Sequence, residues 1–173
     1  MKNSIVKKRY KTLSERWISL AIVLFALAAC SEKEVPDTVA NALELDVYKS
    51  ETCGCCGAWI EHLEAHGAKV SVHHPRDLSA IKAQFGVGNL YESCHTGVSK
   101  QGYVFEGHIP AKYIQQFLAQ PPANALGLSV PGMPLGSPGM EMNDRFQPYE
   151  IVLMKKDGTY STYAKIESME DQY

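Results

Sequence analysis

Cys53-Gly54-Cys55-Cys56 sets three thiols within four residues, and Cys94, followed at once by His95, supplies a fourth further along the chain. Gly54 permits a tight turn and Gly57 lets the chain enter a closely packed helix, so the three clustered sulfurs fall within one turn. A helix start adds unpaired N–H groups and the positive end of the helix dipole, which lower a thiol's pKa and favour thiolate. Thiolate is the form that binds metal, and several soft sulfurs together select Cu(I), Zn or an Fe–S cluster. Because thiolates bridge, a ligand set of this size can hold more than one Cu(I). Three other readings stand beside this one. Four cysteines outside the cytoplasm commonly form two disulfides. Neighbours such as Cys55 and Cys56 bridge only with strain, so pairing Cys53 with Cys56 would leave Cys55 to reach Cys94. A thiol–disulfide oxidoreductase needs only Cys53 and Cys56, and a closed structural zinc site needs all four.

Other soft or basic side chains lie near these cysteines in sequence. His95 abuts Cys94, and His108 follows Glu106-Gly107 at the end of the next strand; both are candidates for extra ligands or for donors that orient the ligands. Met133 and Met140 sit in V-P-G-M-P-L-G-S-P-G-M, a segment stiffened by Pro131, Pro134 and Pro138. Their thioethers suit Cu(I), or they pack that segment onto the core; Met142 and Met154 are read as packing or surface. His62 and His66 are one helical turn apart, but no third ligand is evident, and they read as a helix border. His73 and His74 are strand neighbours that point to opposite faces and cannot chelate together.

The elements that must position these groups follow from hydropathy patterning. Leu43, Leu45 and Val47 alternate with Glu44, Asp46 and Tyr48, which predicts a first strand. After the cysteine turn, Trp59, Ile60 and Leu63 share a helical face that stops at Gly67. Val70 and Val72 mark a second strand ended by Pro75. Asp77 can cap a second helix, with Leu78, Ile81 and Phe85 on its apolar side and Gly86 at its close. CHTGVSKQGYVFEGH reads as two short strands about a Lys100–Gly102 turn. Pro110 opens a third helix, with Ile114, Phe117 and Leu118 buried and Pro121-Pro122 stopping it. Residues 121–148, rich in Gly, Pro and Met, are expected to form a long ordered loop over a site. A hairpin about Asp157-Gly158 closes the chain. The order strand, cysteine turn, helix, strand, helix, strand, strand, helix resembles a thioredoxin-like α/β fold. That fold is a mixed sheet flanked by helices, here followed by a Gly/Pro/Met-rich loop and a β-hairpin. The proline expected before the third strand of such folds is replaced by Ser93-Cys94-His95, which argues against a redox enzyme and gives the fourth thiol a reason to face the other three.

The amino-terminal residues read as an address. Lys2, Lys7, Lys8, Arg9, Lys11 and Arg16 precede the apolar run Trp17–Ala29, which is short of the about 20 residues a spanning helix needs and has the length and flanks of a signal-peptide core. It ends in Leu27-Ala28-Ala29-Cys30, which resembles a lipobox, so Cys30 is expected to carry lipid. Residues 1–29 are then a lipoprotein signal peptide, 30–42 a tether and 43–168 one metal-binding domain. Cys30 also resolves the parity of the five cysteines. The chain carries 17 basic and 19 acidic residues; six of the basic and one of the acidic lie in residues 1–29, leaving 11 against 18, a net charge of about −7. Such an acidic exported domain is a poor nucleic-acid binder. The expected location is the periplasmic face of a bacterial membrane, and Ser31 after the lipobox cysteine points to the outer membrane.

V-Y-K-S-E-T-C-G-C-C-G-A-W, S-C-H-T-G, G-H-I-P-A and V-P-G-M-P-L-G-S-P-G-M-E resemble the bacterial copper-resistance family called CopG, within a family of unknown function with predicted metal binding. The resemblance spans roughly residues 45–165. It implies a thioredoxin-like fold and periplasmic copper handling, with the family's cysteine motif falling on Cys53, Cys55, Cys56 and Cys94. Residues and resemblance together lead to one expectation: a lipid-anchored protein that sequesters Cu(I), or exchanges it with copper exporters or oxidases. His95, His108, Met133 and Met140 would shield or tune the metal. No Ser/His/Asp set, phosphate loop or paired carboxylate site suggests another enzyme class, and a binding role is favoured over catalysis. The rival is a thiol–disulfide oxidoreductase built on Cys53 and Cys56, and a centre cycling between Cu(I) and Cu(II) would lie between the two.

Overall fold

The computed structural model describes residues 43–173. The expected signal peptide, the expected lipidation site Cys30 and the whole of the expected tether, residues 30–42, lie outside the described residues. Among the described residues, seven strands and three helices follow in the order β1 (Glu44–Lys49), α1 (Gly54–Ala65), β2 (Lys69–His73), α2 (Leu78–Gln84), β3 (His95–Ser99), β4 (Val104–Glu106), α3 (Ala111–Ala119), β5 (Ala125–Ser129), β6 (Tyr149–Lys155) and β7 (Tyr160–Ile166). The strands form one mixed sheet in the order β2-β1-β3-β4-β5-β6-β7. The mixed α/β class expected from the sequence is what forms. The β2-β1-β3-β4 half, with helices after β1, β2 and β4, is compatible with the thioredoxin-like expectation.

Strand alternation divides the core between the two faces. On one face, Leu45 and Val47 of β1 and Phe105 of β4 meet Trp59 and Leu63 of α1 and Ile114 and Phe117 of α3, all buried. On the other, Val104 and Met154 pack with Val87 and with the half-buried Phe85 beside α2. Asp77 caps α2 as its type predicts, accepting the Ala80 N–H at 3.0 Å. The expected buried face of α2 is corrected, however. Leu78, Ile81 and Phe85 are only half-buried, and the deeply buried residue of that helix is Lys82. Hydropathy gave no warning of this, because Lys82 is buried through a charged partner on the sheet.

A second correction concerns residues 121–148. They are not one loop: Ala125–Ser129 forms β5, parallel to β4 and antiparallel to β6. The run ALGLS lacks the β-branched and aromatic residues that signal a strand. Its Gly127 lies so close to the Val104 backbone that a side chain there would not fit. Residues 130–148 do form the expected ordered loop, and the hairpin of β6 and β7 turns where Asp157-Gly158 predicts. Structure also continues past residue 168. A 3-10 turn at Glu170–Gln172 buries Gln172, which accepts the Tyr149 hydroxyl at 2.7 Å and donates to the Gly136 carbonyl at 3.0 Å.

Candidate metal centre

Two segments distant in sequence build the centre at one end of the sheet. β1 leads through a turn closed by the Cys53 N–H on the Ser50 carbonyl (3.2 Å) into α1, where Cys53 is the N-cap residue and makes no side-chain cap bond. The first turn of α1 therefore presents its N–H groups and its cysteines toward the same space. The approach to β3 brings the other segment: Cys94 lies one residue before that strand, and its carbonyl oxygen is 3.7 Å from the Cys56 sulfur. The sulfurs of Cys53, Cys55, Cys56 and Cys94 all lie within 4.8 Å of one another. The meeting of the four thiols expected from the sequence is thus present in the geometry.

Two of these sulfurs are joined. Cys53 and Cys56 form a disulfide, with Cα atoms 5.4 Å apart, while Cys55 and Cys94 are free. A C-x-x-C pair at a helix start lies in the range where a bridge closes without backbone movement. The Cys55 sulfur is 3.6 Å from that of Cys53. The expectation that a helix start makes these thiols acidic does not extend to Cys94, which sits on no helix. Burial first, and then the nearby Cys55, push its thiol up to about 11.

His95 and His108 are fully buried and both reach Cys94. His95 Nδ1 lies 3.2 Å and His108 Nε2 3.1 Å from the Cys94 sulfur. The opposite nitrogen of each ring is committed to a backbone carbonyl: His95 Nε2 donates to Gly107 O at 3.0 Å and His108 Nδ1 to Pro138 O at 2.9 Å. A carbonyl only accepts, so those nitrogens carry the protons and the nitrogens facing Cys94 present lone pairs. Burial holds both imidazoles neutral, lowering His95 far below the usual histidine range, with His108 beside it adding to the effect, and lowering His108 as well. Two lone pairs therefore converge on a sulfur that has one proton to give. A cation among Cys94, His95 and His108, whose donor atoms also lie within 4.8 Å of one another, satisfies both. Imidazoles that ligate metals are held in this way, with the far N–H on a carbonyl.

Trp59 floors the pocket: its ring centroid lies 4.2 Å from that of His95, and its Nε1–H donates to Ile109 O at 2.8 Å. Residues 130–148 cover it. Gly139, at φ +84°, lies where a side-chain carbon would come within 2.6 Å of the Trp59 nitrogen and 2.7 Å of the Cys55 carbonyl. Met140 is half-buried beside Gly139, while Met133 is 53% exposed, its neighbour Gly132 accepting a hydrogen bond from the Ser93 hydroxyl. The loop lies where the sequence put it, but Met133 faces mainly outward. Met142 is 52% exposed and Met154 is buried in the core, as surface and packing residues are. His62 and His66 lie side by side on α1 and form no metal-ligand cluster among the described residues.

Sequence reasoning missed the pair behind this centre. Glu106 and Lys82 are both buried and joined by an ion pair. The sequence reading set Glu106 at a strand end and gave Lys82 no role, and nothing in either local pattern signals a buried charge.

Comparison with known proteins agrees with the geometry. The family described as "Protein of unknown function, DUF411" matches residues 91–140, which include Cys94, His95, His108 and the Gly139 loop. Two solved structures titled copper resistance protein CopG, forms 1 and 2, are 46% and 45% identical to this chain. Each superposes with a TM-score of 0.68, over 72% of this chain and 98% of the other. No curated protein matches the sequence.

Proposed function

We propose, from the premise that this chain belongs to the family of copper resistance protein CopG, that it is a copper-binding protein that sequesters or transfers Cu(I). Cys53, Cys55, Cys56 and Cys94 hold the ion, and His95 and His108 complete or shield the site. The observation that carries this reading is that two donor clusters, the four sulfurs and the Cys94–His95–His108 set, share the half-buried Cys94 sulfur. Sulfur and imidazole nitrogen suit copper, whereas carboxylate, which suits Mg or Ca, is absent from the donor set. Copper here is cargo. With the Cys53–Cys56 disulfide closed, two thiols and two imidazoles remain; two electrons and two protons from a dithiol reopen it and complete the four-sulfur set. Thiolate ligation then protects the sulfurs from oxidation and keeps copper from redox cycling. Cys30 anchors the protein by lipid to the periplasmic face of a membrane, the outer membrane by the Ser31 criterion, from which it exchanges copper with exporters or oxidases.

The test is anaerobic titration of reduced, desalted protein with Cu(I), with Zn(II) in parallel and thiols counted on the same sample. The expected result is tight uptake of Cu(I), one or more ions per chain, lost in Cys55→Ser and Cys94→Ser. No uptake by a sample with four titratable thiols in the mature part would overturn the reading.

The Cys53–Cys56 disulfide at the start of α1 favours one rival, a thiol–disulfide oxidoreductase. Such an enzyme needs neither Cys55 nor Cys94. A parent that takes up no copper, with a Cys55→Ser variant that still reduces insulin disulfides, would decide for it.

A further inference from the structure

We propose that the buried Lys82–Glu106 pair is a positioning device for Cys94, acting on the centre from the opposite face of the sheet. The inference rests on the copper-site reading for its functional meaning, although the placement it describes can be tested without copper. Val104 and Glu106 alternate with Phe105 along β4, so Glu106 points to the side of α2 while Phe105 points to the side of α1. Glu106 is 0% and Lys82 3% exposed. The carboxylate divides its oxygens between two anchors. Oε1 accepts the Ser93 backbone N–H at 2.6 Å and pairs with the Lys82 ammonium, and Oε2 accepts the Thr96 hydroxyl at 2.6 Å. Lys82 Nζ also donates to Thr96 Oγ1, at 3.1 Å. Ser93 and Thr96 bracket Cys94 and His95. Cys94 has no partner in either register of β3, whose pairing with β1 begins at His95. Its backbone is therefore set by its neighbours, and one of those neighbours hangs on Glu106.

A buried ion pair is a poor way merely to hold two elements together, since apolar groups of the same volume often do as well or better. An apolar pair, however, cannot accept an N–H and a hydroxyl at once. Only an ionised carboxylate offers enough acceptor sites for the Ser93 N–H, the Thr96 hydroxyl and the ammonium. Burial pushes the Glu106 carboxyl up, and the Lys82 ammonium, first among the groups that oppose this, supplies the counter-charge that favours the ionised form. Both belong to the positioning of the centre; neither touches the cargo.

The experiment compares the full chain with Thr96→Val, Glu106→Gln and Lys82→Met/Glu106→Gln, plus Ile114→Val as a core control on α3. On reduced protein, well below each variant's unfolding temperature, two quantities are read: the alkylation rate of Cys94 relative to Cys55 by iodoacetamide, mapped by peptide mass, and the Cu(I) affinity by competition with a chromophoric chelator. Loosening the Ser93–Thr96 bracket is expected to raise the Cys94-to-Cys55 ratio about tenfold and to weaken Cu(I) affinity by a similar factor in both Glu106 variants. Thr96→Val, which keeps both charges, moves both readings less but in the same direction, and carries the test if the Glu106 variants do not fold. Ile114→Val lowers the unfolding temperature and leaves both readings at the parental level. A folded Lys82→Met/Glu106→Gln protein with the parental alkylation ratio, or the same shift in Ile114→Val, overturns the proposal. A parent that binds no Cu(I) sinks the copper reading alone, and the alkylation ratio still decides the positioning role.

Discussion

Around Cys94, chemistry is decided by which nitrogen of each imidazole holds its proton. His108 is tied at Nδ1 to the Pro138 carbonyl and His95 at Nε2 to the Gly107 carbonyl, so neither ring can turn its lone pair away from the sulfur without breaking a buried hydrogen bond. Replacing His108 with Ala is therefore expected to leave the thiol count unchanged and to weaken Cu(I) retention by about tenfold or more, read by chelator competition. Gly139 is the other residue whose identity is dictated locally. Its φ of +84° and its contact with Trp59 and Cys55 leave no room for a side chain. Gly139→Ala should cost about 1–3 kcal/mol in denaturant unfolding and make Cys55 more reactive toward alkylating reagents, as the covering loop lifts from α1. An unchanged Cys55 rate would show that the loop does not seal the site.

Among the elements, α3 depends on a side chain from α1. His62 Nε2 accepts the Ala111 N–H at 3.1 Å, so a neutral imidazole satisfies a first-turn amide of α3. Burial, and then the neighbouring His66, lower His62 to about 4. An unfolded chain, with histidine near about 6.5, binds the proton more tightly in that interval. This stabilisation is thus present above about pH 6.5 and is lost as pH falls toward about 4. Unfolding temperatures measured across that window should fall less steeply in His62→Gln, whose amide oxygen accepts the same N–H without titrating; equal slopes would refute the cap. Asp77→Ala, removing the cap of α2, should cost about 1 kcal/mol by thermal unfolding. The elements were readable wherever periodicity and punctuation agreed. Leu45 and Val47 marked β1, Asp77 marked the start of α2, and Asp157-Gly158 marked the last hairpin. β5 was not readable, because its five residues are small or aliphatic and owe their strand to the close backbone approach at Gly127. At the site, the four cysteines and two histidines were legible from type and spacing alone. The Cys53–Cys56 bridge was legible as one of the open pairings, a C-x-x-C pair at a helix start. The outward-facing Met133 and the Lys82–Glu106 pair were not, since each depends on how segments distant in sequence pack together.

For the molecule as a whole, attachment and affinity are separate properties. If Cys30 carries lipid, Cys30→Ser protein should move from the membrane to the soluble periplasmic fraction while its Cu(I) titration is unchanged; membrane retention of that variant would argue against the anchor. Affinity belongs to the fold, because Cys56 and Cys94 stand 38 residues apart and meet only when α1 and the approach to β3 are both in place. An unfolded polypeptide carries a short run of neighbouring thiols but no enclosed pocket. Capture of the ion is consequently linked to the stability of the tertiary structure. Each tenfold rise of free ligand above its dissociation constant adds about 1.4 kcal/mol to the resistance of the loaded form to denaturation. A melting curve recorded against metal concentration therefore doubles as a binding isotherm, and a protease that digests only opened chains would spare loaded molecules and remove empty ones.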